Sequence, residues 1–479
     1  MRDPRKVPLY ERFAQDLEEQ VRSGTFPVGA RIPSIREASE QQGISFSTVL
    51  QAYHLLENRG VIEARPQSGY YVKPQSRLRL PEPDFHAVQG DPAKVSIDEV
   101  SLHLIHDNFR LDYAQFGVAS PSPDLLPTQK LNRILAELAR DGKISHSLVS
   151  AVPGSEPLRV QVAQRAFSYG CEIAPDEIVV TAGCTEAMNL CLQAVCQPGD
   201  LVAIESPTYF GIVLALEAQH LRVLEIPSHP RTGMSLEALK FALENHPVKA
   251  VLSVPNFSNP TGALMPDEDK GELVRLLAQH GVPLIENDIS GELYFGERRP
   301  RVCKSYDREG LVLLCSSFSK DISAGFRVGW CAPGKFYREV ESKKYAFNVR
   351  TSVLPQLAIA RFLESGGYDH HLRKIRRAYA DKITSMSEAI LAHFPEGTRI
   401  TEPGGGFVLW VQLPGKLDSV QLYQEALKAF IAIAPGYLFS PAHKFDDFIR
   451  LNASCWSEKS ERDIMRLGMV VKRLLSGRS

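Results

Sequence analysis

Apolar residues recur with a helical period at the start of the chain. They occupy every fourth position, at Leu9, Phe13, Leu17 and Val21. This spacing predicts an amphipathic helix, which Ser23-Gly24 would end because glycine adopts the left-handed conformation at little cost. A second helix is expected after Ser34, a typical N-cap residue, and a third from about residue 46 to 58.

The predicted third helix has one apolar and one polar face. Its inward positions are Val49, Ala52, Tyr53 and Leu56, and its outward positions are Ser47, Thr48, Gln51 and His54. Polar side chains on an exposed helix suit the major groove of DNA and its phosphates. Two short apolar strands, 61–65 and 70–72, then predict a hairpin with its tip at 66–69. A small helical protein-interaction module is the alternative interpretation of this region.

Three strings follow this order of elements: GARIPSIREAS, STVLQAYHLLENRG and RPQSGYYV. Over about the first 73 residues they resemble the GntR-type winged helix-turn-helix family. The resemblance implies that residues 1–73 bind double-stranded DNA at a promoter operator. It also implies contacts from Arg31, Ser34, Arg36, Ser45, Ser47, Thr48, Gln51, Arg65 and Gly69. Helix geometry by itself supports only the contacts on the third helix.

A proline-rich stretch separates this module from the rest of the chain. Pro74, Pro81, Pro83 and Pro92 lie among polar residues, which predicts a semi-extended linker over 74–96. Helical spacing at 96–109 would begin the next domain, which we expect to span 97–479. From about residue 112 apolar strands alternate with amphipathic helices, a pattern typical of an α/β fold with a wound, mostly parallel sheet.

Polar or reactive residues follow several of these strands. They are Gly183-Cys184-Thr185 at a helix start, Tyr209, Asn259, Asp288, and the run Ser317-Phe-Ser319-Lys320, with Arg327 seven residues later. Ligands of open α/β sheets bind at the carboxyl ends of strands, so these residues should converge. Each has an ordinary structural explanation when taken singly, but their combination in this order favours one binding site.

Pyridoxal phosphate is the cofactor that this set of residues suits. Lys320 would form a Schiff base with its aldehyde, and Asp288 would pair with the pyridine nitrogen. Asn259 would donate to the phenolate oxygen, while Tyr209 would cover the ring. The phosphate would lie on the helix start at Gly183, Cys184 and Thr185, with Ser317, Ser319 and Arg327 beside it.

The region from about 112 to 479 resembles a fold-type I aminotransferase. Further matches are PTYFG, NPTGAL and the run 404–407. A GntR-type head on this body is the arrangement of the MocR family of regulators, which implies a smaller C-terminal α+β subdomain at about 365–479. The resemblance also implies that Arg450 clamps a substrate or effector carboxylate, and that the protein is a homodimer.

Two departures from the aminotransferase pattern concern tyrosines. A tyrosine usually follows the pyridine-pairing aspartate closely, but here Ser290 takes its place. A second tyrosine commonly precedes a Pro-x-Gly turn, and the stretch 147–154 lacks it. Cofactor binding should survive both losses, whereas transamination should be weakened or retuned.

Composition and charge narrow the class of protein. The chain has 479 residues, 44% hydrophobic and 23% charged, and a net charge of −1, which is typical of a globular protein of two or three domains. No run approaches the ~20 apolar residues of a membrane span, and no secretory signal is seen, so we expect a cytoplasmic bacterial protein, on the nucleoid when bound to DNA. Eight scattered cysteines without a CxxC pair indicate neither a metal site nor disulfides.

The sequence therefore leaves three hypotheses about function open. The first is a transcriptional regulator that senses pyridoxal phosphate, an amino compound or both. The second is an active class I/II aminotransferase with an accessory DNA-binding head. The third is an interaction protein without a functional pocket, which would form no coloured cofactor complex.

Overall fold

A computed structural model of the chain describes residues 8–27, 29–58, 61–65, 68–72, 81–84, 91–94, 113–140, 152–415 and 417–477. The helix expected at 96–109, most of the expected linker and most of the stretch 147–154 lie outside these residues. The chain divides into two compact units, of which the first takes in residues 1–79 and the second most of the remainder. In the part of the chain described, no helix is long and apolar enough to cross a membrane.

The first unit contains three helices and a two-stranded hairpin. Their bounds are α1 (Leu9–Arg22), α2 (Ile35–Gln42), α3 (Phe46–Asn58), β1 (Ile62–Arg65) and β2 (Gly69–Val72). The strands are antiparallel, with Ile62 opposite Val72 and Arg65 opposite Gly69. The predicted three helices and hairpin are confirmed.

The core of this unit matches the predicted inward face of α3. Val49, Ala52, Tyr53 and Leu56 are fully buried, and Leu17 and Val21 of α1 are largely buried beside them. Leu9 was expected on the same apolar face, yet it is 53% exposed because it begins the helix, beyond the reach of the core. Ser34 and Glu37 form a capping box at the start of α2, which confirms the predicted N-cap.

The second unit is built on a large, mostly parallel sheet. Its strands are β3 (Ala93–Lys94), β5 (Val179–Thr181), β6 (Leu201–Ser206), β7 (Arg222–His229), β8 (Gly233–Met234), β9 (Val248–Ser253), β10 (Leu284–Asn287), β11 (Val312–Ser317) and β12 (Gly329–Ala332), while β4 (Ala114–Gln115) lies elsewhere. The order across the sheet is β3-β7-β6-β9-β10-β11-β12-β5, and β8 pairs with β7. The strands β7, β6, β9, β10 and β11 are mutually parallel, as predicted, whereas β12 runs antiparallel to both neighbours.

Helices connect these strands and cover both faces of the sheet. They are α4 (Thr128–Arg140), α5 (Glu156–Ser168), α6 (Cys184–Val195), α7 (Phe210–Ala218), α8 (Leu236–Asn245), α9 (Asp267–His280), α10 (Tyr337–Asn348), α11 (Val353–Glu364), α12 (Gly367–His393), α13 (Ser419–Lys428) and α14 (Ser460–Leu475). Helices α6 and α7 pack on one face and α8 and α9 on the other, so alternate residues of each strand enter different apolar clusters.

A second, antiparallel sheet lies within the C-terminal part of the chain. Its order is β13-β14-β17-β16, formed by β13 (Arg399–Ile400), β14 (Val408–Gln412), β16 (Ala434–Pro435) and β17 (Phe448–Asn452). A further strand, β15 (Ile431–Ala432), pairs in parallel with β4, which precedes it by more than 300 residues. This pairing carries residues 116–120 to the edge of the large sheet, where the candidate site lies.

Candidate functional site

A cavity of about 330 Å³ opens at the carboxyl ends of the parallel strands. Its lining includes the following residues predicted from the sequence: Cys184, Thr185, Tyr209, Asn259, Ser317, Ser319, Lys320, Arg327 and Arg450. These positions span 267 residues of sequence, and the carboxyl edge of the sheet brings them together. Gly183 adjoins them as the N-cap of α6. The structure does not bring Asp288 into this cavity.

Lys320 follows β11, and its side chain lines the cavity. Its Nζ donates a hydrogen bond to the carbonyl oxygen of Ala119, at 2.6 Å. Removal from bulk water, aided by the positive charges of Arg450 and Arg327, lowers the pKa of Lys320 to about 8. An appreciable fraction of this amine is therefore neutral and nucleophilic near neutral pH.

The start of α6 forms a cradle for an anion. Gly183 has φ 94° and leaves the first N–H groups of α6 without helical partners. Arg327 lies against this turn, and its Nη2 donates to the carbonyl oxygen of Ala182 at 3.1 Å. A Cβ on Gly183 would come within 2.5 Å of that Nη2, so only glycine allows the guanidinium this close. Gly183 and Arg327, two of the residues predicted to bind the phosphate, are thus adjacent.

Arg450 lies on β17 and is 1% exposed. Its Nη1 donates to Asn259 Oδ1 at 3.2 Å, and its Nη2 donates to the carbonyl oxygen of Gly117. Its Nε is buried without a hydrogen-bond partner, and no described carboxylate forms an ion pair with it. Burial lowers the pKa of Arg450 to about 10, which leaves it cationic at neutral pH. A buried cation with an unused donor is suited to bind a carboxylate.

Aromatic and apolar side chains close the remaining walls. Tyr209 lies with its ring centroid 4.7 Å from that of Phe210, and Phe257 and Phe407 also line the cavity. Ser290, which stands where aminotransferases usually carry a tyrosine, lines it as well. The cavity therefore combines aromatic and apolar walls with an anion cradle and a buried arginine.

Sequence reasoning missed the segment 117–120. Its carbonyl oxygens accept hydrogen bonds from Lys320 and Arg450, and those of Val118 and Ser120 accept from Asn452 Nδ2 at 2.6 and 2.8 Å. The segment has no hydrophobic period and its position depends on pairing with a distant strand. Nothing in the local pattern therefore indicated it.

Sequence reasoning also missed a buried ion-pair network next to the cavity. Asp288 Oδ2 pairs with Arg299, and Asp288 Oδ1 accepts from Asn256 Nδ2 at 2.7 Å. Arg299 continues to Glu292 at 3.1 Å, which two more arginines also contact. Burial would raise the pKa of Glu292, but these arginines together hold it below its ordinary value.

The predicted DNA contacts fall into two groups. Ser47 and Gln51 are exposed on α3, and Thr48 beside them is half-buried. Arg36 is also exposed and forms a 3.2 Å ion pair with Glu40. This group presents polar and basic side chains to solvent.

The second group lies at helix starts and beside the hairpin. Ser34 and Ser45 accept hydrogen bonds from backbone N–H groups at the starts of α2 and α3. Arg65 lies over the ring of Tyr71, 4.3 Å from its centroid. A Cβ on Gly69 would lie 3.2 Å from Arg31 Nε, which places Arg31 beside the hairpin.

Known families match both units of the chain. Residues 9–72 match the family of bacterial regulatory proteins, gntR family, and residues 128–466 match aminotransferase class I and II. The uncharacterized HTH-type transcriptional regulator YdcR of Escherichia coli is 39% identical, with 97% of this chain and 99% of the relative covered. The uncharacterized regulator YjiR of the same organism is 35% identical over the same shares of both chains.

Solved structures match the second unit. Kynurenine aminotransferase of Pyrococcus horikoshii, in complex with PMP, is 28% identical with a TM-score of 0.73, covering 79% of this chain and 96% of that one. LysN, the alpha-aminoadipate aminotransferase of Thermus thermophilus, complexed with N-(5'-phosphopyridoxyl)-L-leucine, is 28% identical with a TM-score of 0.72, covering 78% and 95%. With both units matched, the chain belongs to the MocR-type branch of the GntR family, in which a gntR-type helix-turn-helix domain is joined to an aminotransferase class I and II domain.

Proposed function

We propose that this protein is a DNA-binding transcriptional regulator whose aminotransferase-like domain binds pyridoxal 5'-phosphate on Lys320 and senses an amino compound. The observation that carries the proposal is the cavity itself. It combines a lysine with a lowered pKa, an anion cradle and a buried arginine with an unused donor. Two HTH-type transcriptional regulators match nearly the whole length of this chain, which supports regulation as the main function.

The residues of the cavity fit pyridoxal phosphate. When bound, this cofactor supplies an aldehyde that holds an amine covalently and a ring that withdraws electrons. Lys320 would provide the amine, and the helix start at Gly183, Cys184 and Thr185, with Ser317, Ser319 and Arg327, would hold the phosphate. Asn259 would donate to the ring oxygen, and Tyr209 would cover the ring.

Arg450 would recognise the carboxylate of an amino-acid effector. Its Nη1 contacts Asn259, so the effector and cofactor sites share one hydrogen-bonded pair. An effector that binds one arrangement of the domain more tightly than another would shift the population toward it, and that shift would be transmitted to DNA binding. A homodimer that reads paired half-sites completes the proposal, because winged heads commonly act in pairs.

The cofactor step is tested with purified full-length protein. Added pyridoxal phosphate should give a visible absorption band, and borohydride should fix the cofactor to Lys320, as located by peptide mass spectrometry. Lys320→Ala should lose both signals, whereas Lys335→Ala, a change at an exposed lysine of the same unit, should keep them. A wild-type protein that forms no band would contradict the proposal and favour an interaction protein without a functional pocket.

The regulatory step is tested by gel-shift measurement with DNA from promoters mapped by chromatin binding. Pyridoxal phosphate, alone or with an amino acid, should change the affinity for a specific operator, and Lys320→Ala should not respond. If the affinity for the operator changed under none of these conditions, the proposed sensing step would be contradicted.

An active aminotransferase is the second candidate, favoured by the matches to aminotransferases over most of the second unit. It predicts multiple turnovers with an amino acid and a 2-oxo acid. Fast turnover without specific DNA binding would make it the better account.

A further inference from the structure

Two neighbouring polar residues end β10, and only one of them faces the cavity. Asn287 lines the cavity, and Asp288 does not. Successive side chains of a strand point to opposite faces. Ile285 packs in the apolar cluster that includes residues of α6, whereas Leu284 packs in the cluster that includes residues of α9. Asn287 therefore shares the face of Ile285, on which α6 and its anion cradle lie.

The carboxylate of Asp288 is already engaged on the opposite face. Asn256 Nδ2 donates to its Oδ1 at 2.7 Å, and Arg299 pairs with its Oδ2. A Cβ on Gly291 would collide with this carboxylate, so the absence of a side chain there keeps the pair in place. Turning Asp288 toward the cavity would break its ion pair with the buried Arg299, which is strongly unfavourable.

The amide of Asn287 is fixed in one orientation by its neighbours. Its Oδ1 accepts from the backbone N–H of Ile289 at 3.2 Å and from Cys184 Sγ at 3.3 Å. Burial raises the pKa of the Cys184 thiol, which therefore stays protonated and can donate. Because both of these neighbours are donors, the amide atom that they contact must be the oxygen, Oδ1. The other amide atom is therefore the nitrogen, Nδ2, which donates no hydrogen bond to any described residue.

An amide nitrogen and a carboxylate favour opposite protonation states of a ring nitrogen that they contact. A carboxylate only accepts hydrogen bonds, so it favours a protonated ring nitrogen, whereas an amide NH₂ only donates and needs the free lone pair. On the proposed function, in which pyridoxal phosphate occupies this cavity, we propose that Asn287 rather than Asp288 faces its ring nitrogen and keeps that nitrogen unprotonated.

An unprotonated ring nitrogen would favour ligand binding over catalysis. A ring that is not protonated withdraws electrons less strongly, so the proton on the amino-acid carbon is harder to remove. Binding through Lys320, the anion cradle and Arg450 does not depend on the ring nitrogen. The site would therefore retain an amino-acid ligand while turning it over slowly, as a sensor requires.

The test is nitrogen-15 NMR of the full-length protein loaded with ring-labelled pyridoxal phosphate. The wild-type protein should show the resonance of an unprotonated pyridine near neutral pH. Asn287→Asp, which keeps the shape but offers only acceptors, should move the resonance upfield to the protonated position. Asp288→Asn, the matched control at the neighbouring position, should leave it where it is in the wild type.

Each result decides the proposal. A protonated ring in the wild-type protein would overturn it, and loss of that protonation in Asp288→Asn would assign the role to Asp288. The wild-type spectrum suffices even if Asp288→Asn does not fold, because its unprotonated position alone supports the assignment. Absence of the visible band and of borohydride trapping on Lys320 would instead overturn the proposed function, and this inference with it.

Discussion

The two units present their candidate functional arginines in opposite environments. The Arg36 side chain in the first unit is 85% exposed, whereas Arg450 in the second is 1% exposed. Water and salt screen the charge of Arg36, and an exposed ion pair such as Arg36–Glu40 contributes little. Arg450 has been stripped of water and is held by Asn259 and the carbonyl of Gly117, so its interactions are strong and fixed in direction.

This difference indicates how each unit recognises its ligand. The exposed face of α3 suits a polyanion, for which many weak contacts add up and respond to salt. The buried cavity suits one small molecule, for which a few fixed contacts decide binding. Substitutions in the second unit should therefore have large effects singly, and substitutions in the first should have small effects that depend on ionic strength.

The largest effect is expected from Arg299→Met, which probes the buried network of the second unit. Arg299 pairs with Asp288 and Glu292 and stacks on Tyr169, 3.7 Å from the ring centroid. Its removal leaves the buried carboxylate of Asp288 without an ion-pair partner, while Glu292 keeps two other arginines. The free energy of unfolding of this unit should therefore fall by about 3–5 kcal/mol. Urea unfolding measures the change.

The control for this variant is Arg275→Met in the same unit. Arg275 has a side chain 67% exposed, in an i,i+3 pair with Glu272, so its replacement should cost less than about 1 kcal/mol. Equal losses of unfolding free energy in the two variants would contradict this expectation, because a buried arginine would then contribute no more to stability than an exposed one.

The sequence predicted the parts of the site that lie at the ends of regular strands. Lys320 and Arg450 are 130 positions apart, yet both line the cavity because the order of strands and helices placed them at one edge. Motifs such as Ser317–Lys320 combine a strand end with reactive side chains, so a local pattern sufficed to find them. The inward face of α3 was predictable for the same reason, since the helical period is local.

The parts that the sequence did not predict depend on distant pairing or on a single step of register. Segment 117–120 reaches the cavity through the parallel pairing of β4 and β15, which no local period reveals. The run Glu286-Asn287-Asp288 places polar residues on both faces of β10, so alternation did not indicate which of them faces the ligand. A shift of one residue moves a side chain to the opposite face, and the tertiary contacts of Asn287 and Asp288 are what distinguish the two.

A smaller but specific effect is expected from Arg450→Ala, which tests recognition in the buried unit. Loss of charged hydrogen bonds to a carboxylate should weaken binding of an amino-acid ligand by about 2–3 kcal/mol, or roughly 30- to 150-fold in Kd. Arg450→Lys should recover part of the loss, because it restores the charge without the planar pair of donors. Isothermal titration of the cofactor-loaded protein measures both. If Arg450→Ala bound amino acids as tightly as the wild-type protein, and likewise the corresponding amines that lack the carboxylate, the carboxylate would have to bind elsewhere.

The pH dependence of cofactor capture probes the same cavity through Lys320. Only the neutral amine attacks an aldehyde, and removal from water, with Arg450 as the next cause, lowers the pKa of Lys320 to about 8. The rate of formation of the visible band should therefore fall about tenfold between pH 7 and pH 6 and level off above the pKa. Stopped-flow absorbance measures this profile.

Arg450→Ala should move the midpoint of that profile upward, because it removes a positive neighbour of the amine. An exposed lysine would show no midpoint until about pH 10. A wild-type midpoint near pH 10 would mean that the cavity does not lower the pKa of Lys320. Burial would then not set the charged groups of the second unit apart from the exposed ones of the first.

The smallest effects are expected on the exposed face of the first unit, from Arg36→Ala and Gln51→Ala. Loss of one phosphate contact at Arg36 should weaken binding to all DNA sequences alike and reduce the slope of log K against log salt by about 1. Loss of a base contact at Gln51 should instead reduce affinity for the operator about tenfold and relax its specificity. Arg22→Ala, at an arginine of α1 with a side chain 70% exposed, is the matched control and should leave both the salt slope and the specificity unchanged. If it lowers the salt slope as much as Arg36→Ala does, the loss reflects net charge alone, and α2 and α3 do not form the DNA-binding face.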